Sequence, residues 1–172
     1  YYMDSDGVAK TGWYTENNAT YYLDPQNSGA AKKGWYNENN SWYYLDNSDG
    51  KMQTGWYADG NKRYYSDKDG KMQTGWLVDG KDTYFLNPSG AMATGWISDG
   101  NIWYFMDKSG KMQTGWVDTG NQRYYLDNTG KMLTGWTDIG NSRYFLAPSG
   151  AMSKGWLNES GTWYYMDNNG KM

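Results

Sequence analysis

The 172-residue chain has no cysteine and no histidine, and it has only 3 prolines. The missing cysteines and histidines exclude a disulfide framework, the usual zinc ligands, and the Ser-His-Asp and Cys-His catalytic arrangements. No apolar run approaches the roughly 18 residues needed to cross a bilayer, and no signal-like segment opens the chain. We therefore expect no catalysis, no cofactor, no metal site and no membrane insertion.

Aliphatic residues are also scarce, because leucine, isoleucine, valine and phenylalanine together number only 17. Such a composition alone would suggest disorder. The chain has instead 11 tryptophans and 18 tyrosines, and each of these rings brings ~150–250 Å² of surface to a core. The net charge is −3 and the lysines are scattered along the chain, so the clustered basic face of a nucleic-acid binder is missing. These features predict a folded domain with an aromatic core and no nucleic-acid partner.

The dipeptide Gly-Trp recurs eight times, at spacings of 22, 21 and then five times 20 residues, and marks an internal repeat. An aromatic pair follows each tryptophan eight residues later. Counting this tryptophan as position 0, the pair occupies positions +8 and +9. The eight tryptophans are Trp13, Trp35, Trp56, Trp76, Trp96, Trp116, Trp136 and Trp156.

Each repeat of about 20 residues has the length of one β-hairpin and a connection. An isolated hairpin is marginally stable, so we expect the hairpins to stack into an all-β solenoid, or superhelix. The expected division is a partial repeat over residues 1–11, and full repeats starting near 12, 34, 55, 75, 95, 115, 135 and 155. Both ends resemble cuts through a longer array, so we expect this module to be excised from a longer protein.

The hairpin turn is predicted at Asp-Gly dipeptides such as Asp59-Gly60, which suit a type I′ turn. This turn would place Trp56 opposite Arg63, and Gly55 opposite Tyr64, with the glycine leaving room for the tyrosine ring. Because side chains alternate along a strand, positions 0, +7 and +9 should share one face, and +8 and +10 the other. The methionine of each connection is expected to fill the space between repeats. We interpret the Asp-x-Asp-Gly segments 4–7 and 67–70 as turns, because the further ligands of a calcium loop are missing.

Position +7 distinguishes the repeats, because it is tryptophan in three of them, arginine in three and threonine in two. Where it is tryptophan, two indoles would form a corner that the +8 tyrosine of the next repeat closes. Three electron-rich rings around one cavity form the kind of cage that binds quaternary ammonium groups. Where it is arginine, we expect the guanidinium to stack on the indole and fill the cavity itself. The predicted complete cages are Trp35, Trp42 and Tyr64, and Trp96, Trp103 and Tyr124, and Trp156 and Trp163 form a third corner.

The segment Gly34–Trp56 reads Gly-Trp-x(6)-Trp-Tyr-Tyr-Leu-Asp-x(3)-Gly-Lys-Met-x-Thr-Gly-Trp, and it resembles the choline-binding repeats of Gram-positive surface proteins and phage lysins. The resemblance covers the whole chain. It implies a superhelical β-solenoid that binds the phosphocholine of teichoic or lipoteichoic acid at the extracellular cell surface. It also implies Met72 and Met132 as fourth contacts in the two cages. Lesser candidates for choline binding are the third corner and the pairs Trp13 with Tyr43 and Trp76 with Tyr104.

Two classes of function remain open from the sequence, and a purely structural stalk is a weaker third. The first is a non-catalytic module that anchors an attached domain to choline-bearing cell-wall polymer. The second is a polysaccharide-binding module related to glucan-binding repeats, which would stack sugars on the same rings. Sugar recognition should need polar donors beside each ring, and none recurs at a fixed position of the repeat.

Overall fold

A computed structural model describes residues 2–172, so the first residue of the expected partial repeat lies outside the described part. The fold is all-β, as the repeat pattern predicts, with eight antiparallel hairpins and a short strand, β3, that extends the first of them. A 3-10 helix covers Pro25–Asn27, and no helix of the described residues is long and apolar enough to cross a membrane. The strands are β1 Gly12–Glu16, β2 Ala19–Asp24, β3 Ala30–Ala31, β4 Gly34–Glu38, β5 Ser41–Leu45, β6 Gly55–Asp59, β7 Lys62–Ser66, β8 Gly75–Asp79, β9 Asp82–Leu86, β10 Gly95–Asp99, β11 Ile102–Met106, β12 Gly115–Thr119, β13 Gln122–Leu126, β14 Gly135–Ile139, β15 Ser142–Leu146, β16 Gly155–Glu159 and β17 Thr162–Met166.

The hairpin turns lie one residue later than the sequence predicted. Asp59 was expected in the turn, but it ends β6 and pairs with Lys62, so residues 60–61 form the two-residue turn. In the equivalent turn between β10 and β11, Gly100 and Asn101 have φ values of 58° and 65°. A type I′ turn requires a positive φ at both of its central residues. Glycine and asparagine adopt a positive φ more readily than most residues, so they occupy this turn.

The shifted turn changes which residue lies opposite each tryptophan. Trp56 is opposite Tyr65, and the prediction that it faces Arg63 directly is wrong. Positions 0 and +7 are diagonal neighbours instead. The shift moves each partner by two residues, so every side chain keeps its face of the ribbon. The prediction that positions 0, +7 and +9 share one face is therefore confirmed.

The glycine before each tryptophan has a different role from the predicted one. Gly55 lies opposite Ser66 and not opposite Tyr64, so it does not make room for that ring. A Cβ on Gly55 would meet no atom within 4 Å, and its φ is +65°. Glycine is favoured here by its backbone conformation, because other residues are strained at positive φ.

The connections tie each hairpin to the one before it. The backbone N–H of Met72 donates to the carbonyl oxygen of Trp42 at 2.8 Å, and Met72 also forms an isolated bridge with Ser66. The Met72 thioether packs against Gly90, where any Cβ would collide with it. The prediction that the methionine fills the space between repeats is thus confirmed here.

The core of each unit contains the side chains at position +10, which face away from the tryptophan. These residues are Leu23, Leu45, Ser66, Leu86, Met106, Leu126, Leu146 and Met166, and each is at most 1% exposed. Ser66 is the one polar member, and its hydroxyl lies 3.0 Å from the Tyr57 hydroxyl. That hydrogen bond satisfies both buried groups.

The Asp-x-Asp-Gly segments are turns, as expected. Asp67 Oδ1 accepts hydrogen bonds from the backbone N–H groups of Asp69 at 2.9 Å and Lys71 at 3.0 Å, and Asp4 accepts two in the same way. Within residues 2–172 no group of three or more acidic side chains could hold a metal ion.

The hairpins belong to two compact units. One extends to Leu77 and includes Phe85–Met92, and the other consists of Val78–Tyr84 and Ala93–Met172. Within each unit, hairpins pack through the faces described above, so each unit contains complete inter-repeat sites of its own.

Candidate functional site

The first predicted cage lies within the first unit and is built by three strands and a connection. Trp35 lies on β4, Trp42 on β5 and Tyr64 on β7, and Met72 follows β7. The Trp35 and Trp42 rings are 6.4 Å apart at 80°, and the Trp35 and Tyr64 rings are 4.8 Å apart at 67°. All four side chains line one cavity of about 390 Å³.

The second predicted cage repeats this arrangement within the second unit. Trp96 on β10, Trp103 on β11, Tyr124 on β13 and Met132 line a cavity of about 420 Å³. The Trp96 and Tyr124 rings are 4.8 Å apart at 68°, which matches the first cage closely. The structure therefore brings together all eight residues that the sequence singled out for the two cages.

The corrected register explains why each cage is open. The direct partner of Trp35 is Tyr44, whose ring is 5.0 Å away, whereas Trp42 is its diagonal neighbour. Diagonal side chains on a hairpin face are farther apart than direct partners, so the two indoles leave a gap between them. Trp42 is 46% exposed and Tyr64 only 8%. The cage thus has a buried floor and one wall open to solvent.

Residues from a further connection complete each cavity, and the repeat pattern does not predict them. Pro88 and Ser89 line the first cavity, and Pro148 and Ser149 line the second. Each pair comes from the connection two repeats beyond the tryptophan corner.

A sequence signal for these residues exists. These two connections contain Pro-Ser-Gly-Ala, whereas five of the other connections have Gly-Lys where these two have Gly-Ala. Ala91 replaces that lysine in the first cage, where it is 4% exposed and packs in one cluster with Tyr44, Tyr57 and Tyr64. The walls of both cavities therefore carry no charged side chain.

A carboxylate from the next hairpin accepts hydrogen bonds from the first cage without lining the cavity. Asp59 Oδ2 accepts a hydrogen bond from Trp35 Nε1 at 2.9 Å, and Asp59 Oδ1 accepts one from the Tyr44 hydroxyl at 3.1 Å. Burial, and then the hydrogen bond to Asp59, raise the pKa of Tyr44. Burial and the negative charge of Asp59 also raise the pKa of Tyr64. Both tyrosines therefore stay neutral near pH 7.

In the repeats with arginine at +7, the guanidinium stacks on the indole, as predicted. The prediction that it also fills the cavity is wrong for Arg143, because Trp136, Arg143, Tyr164 and Met172 still line a cavity of about 280 Å³. The guanidinium carbon lies over the indole at 4.9 Å for Arg63 on Trp56. The equivalent distances are 5.0 Å for Arg123 on Trp116 and 5.3 Å for Arg143 on Trp136. A cation of the protein itself occupies the ring face there.

The lesser candidates differ in how complete they are. Trp13 and Tyr43 have ring centroids 4.8 Å apart and line a cavity of about 280 Å³, but Asp69 and Lys71 line it too. Trp156 and Trp163 form a corner with rings 6.4 Å apart, and they are 70% and 64% exposed. Trp76 and Tyr104 belong to different units, and their pairing stays a prediction.

A larger cavity, of about 810 Å³, lies elsewhere and has a different character. It surrounds the turn 118–123 and is also lined by Met152, Lys154, Asn168 and Asn169. Its lining is polar and contains no aromatic ring, so it lacks the means to hold a quaternary ammonium group by cation–π attraction.

Comparison with known proteins identifies the family of the repeat. Residues 11–54, 32–73, 53–95, 93–134 and 133–172 each match the family model of the choline-binding repeat. A search of curated protein sequences gives no significant match.

Solved structures of Streptococcus pneumoniae proteins are similar to this chain. CbpJ is 37% identical over 99% of this chain and 68% of its own, with a TM-score of 0.92. CbpF, crystallised in the presence of a peptidoglycan analogue, is 40% identical over 88% of this chain and 55% of its own, with a TM-score of 0.81. The modular autolysin LytC, in complex with a synthetic peptidoglycan ligand, is 28% identical over 99% of this chain and 41% of its own, with a TM-score of 0.66. The chain belongs to the choline-binding repeat family.

Proposed function

We propose that the chain is a non-catalytic anchoring module that binds the phosphocholine groups of teichoic or lipoteichoic acid at the bacterial cell surface. The binding sites are the two aromatic cages, and the observation that carries the proposal is their shared lining of two indoles, a phenol ring and a thioether. Membership of the choline-binding repeat family and similarity to pneumococcal choline-binding proteins support this location and this polymer.

The chemistry of each cage suits a trimethylammonium group. Such a group has no N–H to donate, so it is recognised by ring faces and by apolar contact with its methyls. Trp35, Trp42 and Tyr64 supply the ring faces, and Met72 supplies a polarisable apolar contact. No charged side chain lines the cavity to repel the ligand.

The expected affinity of one cage is low. Three ring walls at ~0.5–1 kcal/mol each, and more where desolvated, give about 3–4 kcal/mol, which corresponds to a dissociation constant near or above 1 mM. Two cages on one chain that meet a polymer carrying many choline groups would gain ~10²–10⁴ in avidity. The module is therefore expected to hold polymer tightly although it binds free choline weakly.

Retention on an immobilised choline resin, with elution by free choline, tests the proposal. We expect retention of the wild-type chain and loss of retention in the double variant Trp42→Ala/Trp103→Ala. A matched control is the double variant Arg123→Ala/Arg143→Ala, which changes two residues at the same position of other repeats and should still be retained. Passage of the wild-type chain through the resin, or tighter retention on an α-glucan resin, would contradict the proposal.

A further inference from the structure

Asp59 carries a negative charge directly behind the first cage. Its two carboxylate oxygens accept hydrogen bonds from the indole of Trp35 and the hydroxyl of Tyr44, at 2.9 and 3.1 Å. Within the described residues no lysine or arginine forms an ion pair with Asp59. Its charge is therefore not neutralised by an ion-pair partner among the described residues.

The second cage has no such carboxylate, although its walls are the same. Thr119 occupies the position of Asp59, and Phe105 occupies that of Tyr44. The ring of Phe105 is 5.1 Å from Trp96, as Tyr44 is 5.0 Å from Trp35. The described residues show no hydrogen bond from the Trp96 indole. The chain therefore contains two matched cages that differ in the group behind the indole.

We propose that Asp59 is a positioning residue that makes the Trp35 cage bind choline more tightly than the Trp96 cage. This inference rests on the proposed function. The carboxylate fixes the plane of the indole, and its charge polarises the ring through the in-plane N–H group, so that the ring faces attract a cation more strongly. Charge-assisted hydrogen bonds are stronger than neutral ones, and we expect an affinity difference of about three- to tenfold.

The first test removes the charge from a chain with one complete cage. In the Trp103→Ala background, which leaves the Trp35 cage, Asp59→Asn should weaken choline binding about three- to tenfold in an NMR titration that extends to tens of millimolar choline. The neutral isostere of choline has carbon in place of the quaternary nitrogen, so it has no charge to be attracted. The affinity for this isostere should change by less than about twofold in an NMR titration. Equal losses for the two ligands would assign Asp59 a merely structural role and overturn the inference.

The second test adds the charge to the other cage, where a gain of affinity cannot come from misfolding. In the Trp42→Ala background, Thr119→Asp should strengthen choline binding about three- to tenfold. The matched control is Glu159→Gln, which removes one negative charge at the equivalent position of the last hairpin and should leave both cages unchanged.

The outcomes separate this inference from the proposed function. No choline binding by the Trp103→Ala chain would contradict the proposed function and this inference together. Choline binding that neither Asp59→Asn nor Thr119→Asp alters would overturn the inference alone, and the cages would remain choline sites.

Discussion

Trp42 offers the cleanest way to remove one cage without disturbing the fold. Its side chain is 46% exposed, and its backbone carbonyl, which accepts the hydrogen bond from Met72, is unaffected by truncation. Trp42→Ala should therefore cost less than about 1 kcal/mol of stability, or roughly 2–4 °C in Tm for a chain of this size. Trp35→Ala should be much more damaging, at about 3–5 kcal/mol, because Trp35 packs against Tyr44 and Tyr64 and bonds to Asp59.

The loss of choline binding in Trp42→Ala should be large in comparison. The variant removes one of three ring walls, and a loss of about 1.4 kcal/mol corresponds to about tenfold in the dissociation constant. A site near 1 mM would then move to about 10 mM, outside a titration that ends at a few millimolar. Calorimetry should thus report one choline site fewer than in the wild-type chain. Trp103→Ala should do the same for the other cage. Unchanged stoichiometry and affinity in both variants would refute the cage geometry.

Three further predictions concern the corners with a stacked arginine, the uncharged residue Ala91 beside the first cage, and the charge of the ligand. Arg123→Ala should not reduce the number of choline sites in calorimetry, and a lost site would show that the guanidinium-filled corner on Trp116 is part of a binding cage. Ala91→Lys should weaken choline binding in the Trp103→Ala background by about tenfold or more, because it puts a cation beside the cage. Ala91→Met adds bulk without charge and serves as the control, so equal losses would make the effect steric. Choline resin should retain the chain in about 1 M salt, since short contacts in a partly desolvated cavity are screened less than exposed charges, and the neutral isostere should bind about tenfold or more weakly. Elution by salt alone, or equal binding of the isostere, would contradict the cation–π mechanism.

The sequence was sufficient for the repeat, the hairpins and the two cages, because alternation along a strand fixes which side chains share a face. It was not sufficient for the register. Asp59, Gly60 and Asn61 contain two overlapping turn signals, Asp-Gly and Gly-Asn. The two possible turns differ by two residues in pairing, so they bury the same faces, and the apolar pattern cannot distinguish them.

The contacts of Pro88, Ser89 and Asp59 with the first cage could not be predicted from the repeat pattern. Pro88 and Ser89 come from two repeats beyond the Trp35 corner, and Asp59 comes from the next hairpin. Their positions depend on how one hairpin rotates against the next, and neither strand alternation nor repeat length contains that angle. The replacement of lysine by Ala91 is visible in the sequence, but its meaning emerges only when the connection is seen to pack against the cage.

A crystal structure of the chain soaked with choline tests the central claim most directly. The proposed cages predict density for the trimethylammonium group within about 6 Å of the ring centroids in each cage, namely Trp35, Trp42 and Tyr64 in one, and Trp96, Trp103 and Tyr124 in the other. The corners where Arg63, Arg123 and Arg143 stack on the indole should hold no choline. Choline bound equally at every repeat, or seated in the polar cavity near the turn 118–123 and absent from both cages, would contradict the account.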